Sequence, residues 1–182
     1  MRANKEDSAA ILIDIQERLV PVMYHGEETV KSCISLIQGF QILNIPILAA
    51  RQYPKGLGDL VEPVRDALGA YEPFDKMSFS VYDDPKMKEE LRKMGKKNIF
   101  VFGIETHICV LQSVIDLQND GYQVYLVSDC VTSRKETDHK MAIKRAQAEG
   151  ALVTTREAAL YELLQEAGSD RFKQISNLVK EM

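Results

Sequence analysis

The stretch Ile99-Phe100-Val101-Phe102-Gly103-Ile104-Glu105-Thr106-His107-Ile108-Cys109-Val110 passes from an all-apolar run, through one glycine, into a polar turn. Four successive β-branched or aromatic residues describe a strand covered on both faces, because alternate side chains point to opposite sides of a sheet. Gly103 closes the strand, and Thr106 is placed to cap a helix that runs through Leu117 and ends near Gly121. Strand, glycine turn and helix in this order form half of a crossover unit in a parallel sheet.

The same alternation continues in both directions. Upstream, Ala9–Ile13 and Pro46–Ala50 are short buried strands, separated by helical spacing over Glu27–Leu43 (Val30, Ile34, Ile37, Leu43). Gln52–Ser80 is rich in Gly and Pro and reads as irregular, with one short helix near Leu60–Leu68. Asp84-Pro85 predicts an N-cap followed by proline at the first helical position, opening a helix to Met94 that stops at Gly95. Downstream come a strand at Val124–Val127, a helix at Asp138–Glu149, a strand at Leu152–Thr154, and helices at Arg156–Glu166 and Arg171–Lys180. The expected fold is α/β: a three-layer α/β/α sandwich with a mostly parallel central sheet of Rossmann type, in one domain over residues 1–182.

Composition narrows the function classes. Hydrophobic residues make up 45% and charged residues 27%, the balance of a folded globular chain, and the net charge of -4 offers nothing to a phosphate backbone. Lys and Arg at 92, 93, 96 and 97 alternate with Glu89 and Glu90, as on a solvated helix face. No nucleic-acid partner is expected. No apolar run approaches a membrane span, and the polar start Met1–Asp7 lacks the core of a signal peptide. Three cysteines (Cys33, Cys109, Cys130) without a CxxC pair argue against disulfides and zinc knuckles, so a cytoplasmic location is expected.

In an open parallel sheet, ligands bind beyond the carboxyl ends of the strands. Asp14, Arg51, the Gly103–Cys109 turn and Asp129 all follow strands. If Thr106 is the cap, Cys109 falls in the first helical turn, where free N–H groups and the helix dipole favour a thiolate and suit an oxyanion. A buried packing cysteine is the competing reading, and it is the expected one for Cys33 and Cys130. Asp14 directly ends its strand, where burial would raise its pKa towards that of a base. Lys76, alone among apolar and small residues in Phe74–Ser80, could steady both charges. His107 stands two residues before Cys109, a spacing that points the two side chains to different sides of a helix. Gly56-Leu57-Gly58 lacks the third glycine of a phosphate fingerprint and reads as a turn. Gln16, Gln52, Tyr53, Phe79 and Thr106 are candidate pocket residues by position.

Over nearly its full length the chain resembles the isochorismatase-like cysteine hydrolase superfamily. The resemblance is carried by Leu12-Ile13-Asp14-Ile15-Gln16, by Lys76 before Ser78-Phe79-Ser80, and by Gly103–Val110. Arg51-Gln52-Tyr53-Pro54-Lys55-Gly56-Leu57-Gly58, Gly103-Ile104-Glu105 and Phe172-Lys173-Gln174-Ile175 make it closer to the isochorismatase-domain-containing subfamily.

The resemblance implies a triad of Cys109, Asp14 and Lys76. It also implies a cis peptide between Ile104 and Glu105, and an oxyanion hole from the backbone N–H groups of Glu105 and Cys109. A cysteine nucleophile separates the chain from isochorismatases proper, which cleave a vinyl ether without one, and points to hydrolysis of small amide or other C–N substrates. Nicotinamidases of that branch hold a metal through an Asp-x-His pattern, where this chain has Arg51-Gln52-Tyr53-Pro54. With His25, His107 and His139 dispersed, no catalytic metal and no cofactor are expected. Homo-oligomers are usual among such proteins, and the stripe Phe172, Ile175, Leu178, Val179 could pack within or between chains. Two other classes stay open: a partner-binding protein that keeps the triad, and a thiol redox sensor at Cys109.

Overall fold

A computed structural model describes residues 2–180. The strands are β1 (Ser8–Ile13), β2 (Ile47–Gln52), β3 (Phe74–Lys76), β4 (Asn98–Ile104), β5 (Gln123–Thr132) and β6 (Leu152–Thr154). They form one sheet in the order β3-β2-β1-β4-β5-β6, and every named pairing is parallel. The helices are α1 (Gly26–Ile42), α2 (Pro54–Leu57), α3 (Glu62–Leu68), α4 (Pro85–Met94), α5 (Leu111–Asn119), α6 (Glu136–Ala148), α7 (Arg156–Leu164) and α8 (Asp170–Lys180).

Both sheet faces are covered, which is why the central strands read as unbroken apolar runs. Every residue of β1 and β4 is buried. On one face Leu12, Phe100 and Phe102 meet Phe40 of α1 and Leu160 of α7. On the other, Ile11, Ile13 and Val101 meet Leu91 of α4 and Val114 of α5. The α8 stripe packs within the chain, with Ile175 buried in the first core and Phe172, Leu178 and Val179 against it. Asp84 caps α4 as expected, accepting from the N–H groups of Lys86 and Met87, both at 3.0 Å.

Three expectations need correction. Gln52–Ser80 is more regular than its Gly and Pro content suggested: it holds α2, α3 and the edge strand β3. With only three residues, one of them an exposed Asp75, β3 carries too little apolar pattern to stand out. Strand β5 runs on to Thr132, so Asp129 and Cys130 lie inside it rather than after it. Its register against β4 jumps from Val101↔Leu126 to Gly103↔Val131, a bulge that hides the strand's second half from a period-two reading. Thr106 is also not a helix cap. Glu105 takes that place, the backbone makes a π turn over Thr106–Val110, and α5 starts at Leu111.

The strand order places a functional edge. Connections from β1 lead outward through β2 to β3, and the chain then returns to β4 on the other side of β1. The topological switch point therefore lies between the carboxyl ends of β1 and β4. Gly103 makes this seam possible: at φ +121 it pairs with Ile13, and a Cβ there would lie 2.1 Å from the Ile13 carbonyl oxygen.

Candidate active site

Asp14 leaves the end of β1 in a left-handed conformation, φ +53, which Asp tolerates better than most residues. Its N–H still bonds the Ala50 carbonyl of β2 at 3.0 Å. Lys76 is the last residue of β3, two strands away, with Gln52 at the end of β2 paired beside it. The lysine stem spans that gap. Its Nζ donates to Asp14 Oδ2 at 2.8 Å, Gln52 Oε1 at 2.6 Å and the Phe79 carbonyl at 3.1 Å, with the Ser78 carbonyl at 3.3 Å. Neither side chain of the Asp14–Lys76 pair has any exposed surface. Three N–H groups thus meet a full set of acceptors, the condition for keeping an ammonium buried.

Cys109 enters from the π turn after β4 and is 7% exposed. Its Sγ lies 4.0 Å from Gln52 Oε1. Asp14 Oδ1 is fully buried and has no hydrogen-bond partner, and the Cys109 thiol, which donates to Gln52 Oε1, is close enough to the Asp14 carboxyl for each to act on the other's pKa. Burial pushes the Asp14 carboxyl above its ordinary range, and the Lys76 ammonium pulls it part of the way back. Burial also pushes the Cys109 thiol up, and the Asp14 charge adds to this, to about 12 against the opposing pull of Lys76. The expected preference for a resting thiolate is therefore corrected, because loss of water around sulfur outweighs the helix end.

The Ile104–Glu105 peptide is cis. The Glu105 carbonyl accepts from the N–H groups of Ile108 (3.1 Å) and Val110 (3.2 Å), which tightens the turn that carries the thiol. The Glu105 carboxylate reaches Arg134 Nε at 3.0 Å and its N–H at 3.2 Å. Thr106 Oγ1 pairs with His139 Nδ1 at 3.0 Å, and His107 Nδ1 with Ser133 Oγ at 2.9 Å. These bonds tie the turn to the β5–α6 segment and hold His107 to Ser133 through Nδ1.

A cavity of about 90 Å³ opens against the thiol. Asp14, Gln52, Glu105 and Cys109 supply its polar lining, and Leu19, Leu57, Phe79, Ile104 and Ile108 the rest. Of the five pocket candidates, Gln52 and Phe79 line it, with Phe79 half-exposed. Gln16 instead braces the loops: its Nε2 donates to the carbonyls of Gln52 (2.9 Å) and Gly58 (2.8 Å), and its Oε1 accepts from Gln52 N–H at 2.7 Å. Tyr53 projects to solvent and Thr106 is buried against His139, so neither lines the cavity. Arg51 pairs with Asp75 (2.6 Å) and Asp59 (2.7 Å), and Asp129 accepts from the first N–H of α7 at 2.8 Å; both stand apart from the cavity. The cavity residues Leu19, Leu57 and Ile108 and the Arg134 partner of Glu105 escaped the sequence reading. For the first three the only signal was proximity in the chain to Asp14, Gln52 and Cys109; Arg134 lies far from all of these in sequence and gave none. Among the described residues, no group of three His, Cys, Asp or Glu side chains is placed to hold a metal ion. No helix among them is long and apolar enough to cross a membrane.

A doubly wound parallel sheet with a buried Asp–Lys pair facing a cysteine at its switch point defines a class of α/β proteins, and comparison with known proteins gives the family. Residues 8–158 match the isochorismatase domain, so the chain belongs to the isochorismatase family. It is 35% identical to isochorismatase domain-containing protein 1 of Danio rerio, over 92% of this chain and 59% of that protein. The chain thus spans well under two thirds of that relative's length. Isochorismatase domain-containing protein 2 of the same fish is 34% identical over 98% of this chain and 89% of its own length. Among solved structures, the MAR1 ribonuclease from Caenorhabditis elegans superposes with a TM-score of 0.92 at 35% identity, covering 99% of this chain and 93% of that one.

Proposed function

We propose that the protein is a cysteine hydrolase of small amides or related C–N compounds, with Cys109 as nucleophile, Asp14 as base and Lys76 as the charge that holds the pair. One observation carries the reading: a buried carboxylate clamped by lysine through Oδ2 keeps its other oxygen unpartnered beside a thiol. Among structural ion pairs, both carboxylate oxygens normally find partners. Here the spare acceptor matches a proton to be taken.

In this scheme Asp14 and Cys109 hold one proton between them, beside one ammonium. Moving that proton from sulfur to Asp14 creates a thiolate without changing the net charge of the pocket, so the high thiol pKa does not block the step. The thiolate adds to the carbonyl carbon, and the N–H groups of Glu105 and Cys109 are assigned to the oxyanion. The C–N bond then breaks, and the departing nitrogen takes the proton from Asp14. Water, giving a proton back to Asp14, cleaves the thioester and releases the acid. Gln52 fixes the lysine: its Oε1 accepts from Lys76 while its Nε2 donates to the Met77 carbonyl at 2.8 Å.

The test is a screen of small amides, ureides and nitriles against the wild type and Cys109→Ala. Turnover by the wild type should fall at least about a thousandfold in the variant, as when a covalent nucleophile is removed. Full turnover by Cys109→Ala would sink the scheme. Because a relative is described as a ribonuclease, a short RNA belongs in the screen, and its Cys109-dependent cleavage in place of the amides would overturn the substrate class. Homo-oligomerisation belongs to the same reading: Met77, Phe79 and Met141 leave large apolar surface exposed, as a subunit interface would bury. Sedimentation of a monomer at micromolar concentration would refute that part.

A further inference from the structure

We infer that this site takes uncharged compounds with a short aliphatic acyl group and turns away those carrying a carboxylate beside the reacting carbon. The inference rests on the hydrolase reading and adds the substrate class. The first ground is charge. An anionic substrate needs a cation or a set of free N–H donors, and the pocket's cations are committed. Lys76 spends its N–H groups on Asp14, Gln52 and Phe79, and Arg134 holds Glu105 from outside. Around the thiol, Asp14 balances Lys76 and Glu105 balances Arg134. On the rim, Arg18 beside Leu19 gives its guanidinium to the Gly56 carbonyl at 2.7 Å and is preceded in the same loop by Glu17. Whether the negative charge sits on Asp14 or, after proton transfer, on sulfur, Lys76 balances that one charge and no more, so a substrate carboxylate would meet a negative charge at close range with no cation left to offset it.

Size is the second ground. A cavity of about 90 Å³ holds about three water-sized groups, well short of the ~300–1,000 Å³ of pockets that enclose a drug-sized ligand. Only the acyl end of a substrate fits inside. The wall that receives it is Leu19, Leu57, Ile104 and Ile108, with Phe79 at the open side. Those side chains reward a propionyl or isobutyryl body and offer no hydrogen bond to a carboxylate.

Iodoacetamide and iodoacetate are nearly isosteric and differ in charge, so their rates of alkylating Cys109 read the selection directly, independently of turnover. The full chain is treated with each reagent near neutral pH, the modified cysteine is located by peptide mass, and rates are divided by those for 2-mercaptoethanol. The normalised preference for iodoacetamide should be at least about tenfold, the scale of one like-charge encounter in a partly desolvated pocket. In Glu105→Gln, which releases the Arg134 guanidinium, that preference should fall by severalfold. Equal normalised rates in the wild type, or an unchanged ratio in Glu105→Gln, would overturn the charge selection and leave the hydrolase reading to the amide screen. No alkylation of the folded protein by either reagent would remove both.

Discussion

Two regions of this molecule bury cysteines, and only one sets its thiol beside a carboxylate and an ammonium. Under α1, Cys33 donates its thiol to the Cys130 carbonyl at 3.3 Å, and both residues are fully buried. At the switch point, Cys109 is buried almost as well. Loss of water raises the thiol pKa at Cys130 as it does at Cys109, so burial does not separate them. The neighbours do. Around Cys130 the nearest side-chain partner is another thiol, whereas Cys109 faces a carboxylate with a spare oxygen and an ammonium beyond it. A buried thiol becomes reactive where a proton can leave it without leaving the pocket, and an acceptor matters more there than a low pKa.

The sharpest way to break this comparison is to remove the acceptor. Asp14→Asn should lower turnover per folded molecule by about a thousandfold or more, while Cys130→Ala leaves it within about twofold, measured on any amide the wild type cleaves. Comparable losses in the two variants would erase the distinction.

Next in size is the ion pair. Lys76→Met strands the Asp14 carboxylate without its buried partner and should cost about 3–5 kcal/mol in urea unfolding at neutral pH. Asp14 in that variant has a folded pKa above its unfolded one, so the deficit appears as the pH rises between the two and shrinks as the pH falls. The double variant Asp14→Asn, Lys76→Met should recover part of the loss, and strictly additive losses would show that the pair is not coupled.

A smaller effect lies in the pH profile. Asp14 is raised by burial, so the acid limb of the rate should lie above the ordinary carboxylate value of 3.8, with activity lost as the pH falls through it and the pair gains its second proton. No alkaline limb from Cys109 is expected below about 12. An acid limb at or below the ordinary value would contradict the burial argument. Smallest of all, Cys130→Ala should cost about 1–2 kcal/mol of stability by leaving a void at the α1 contact, seen as a lower denaturation midpoint with unchanged slope.

Much of the architecture was legible because both sheet faces are covered. Double coverage makes Ile11-Leu12-Ile13 and Ile99-Phe100-Val101-Phe102 apolar without gaps, and the residues that break those runs, Asp14 and the Gly103–Cys109 turn, stand at the ligand edge. Strand β3 was not legible, being a short edge element whose place depends on pairing with β2 rather than on its own pattern. The Thr106 cap failed for a related reason. A threonine before a helix has a local use for its hydroxyl, but His139 from α6 lies within reach and Glu105 takes the cap position.

The amino-acid order by itself determined the alternation of elements, the positions of Asp14 and Cys109 at strand ends, and the solitary character of Lys76 between apolar neighbours. Those features depend on periodicity and on adjacency in the chain, which a sequence states directly. Tertiary structure alone decided that a lysine from the edge strand reaches across β2 to Asp14, that Gln52 locks it there, and that the cysteine rests as a thiol. It also decided that Arg134 closes off Glu105 and that Leu19, Leu57 and Ile108 shape the cavity. Each of these depends on distances between segments far apart in sequence and on the loss of water where they meet, and neither quantity is written in local order.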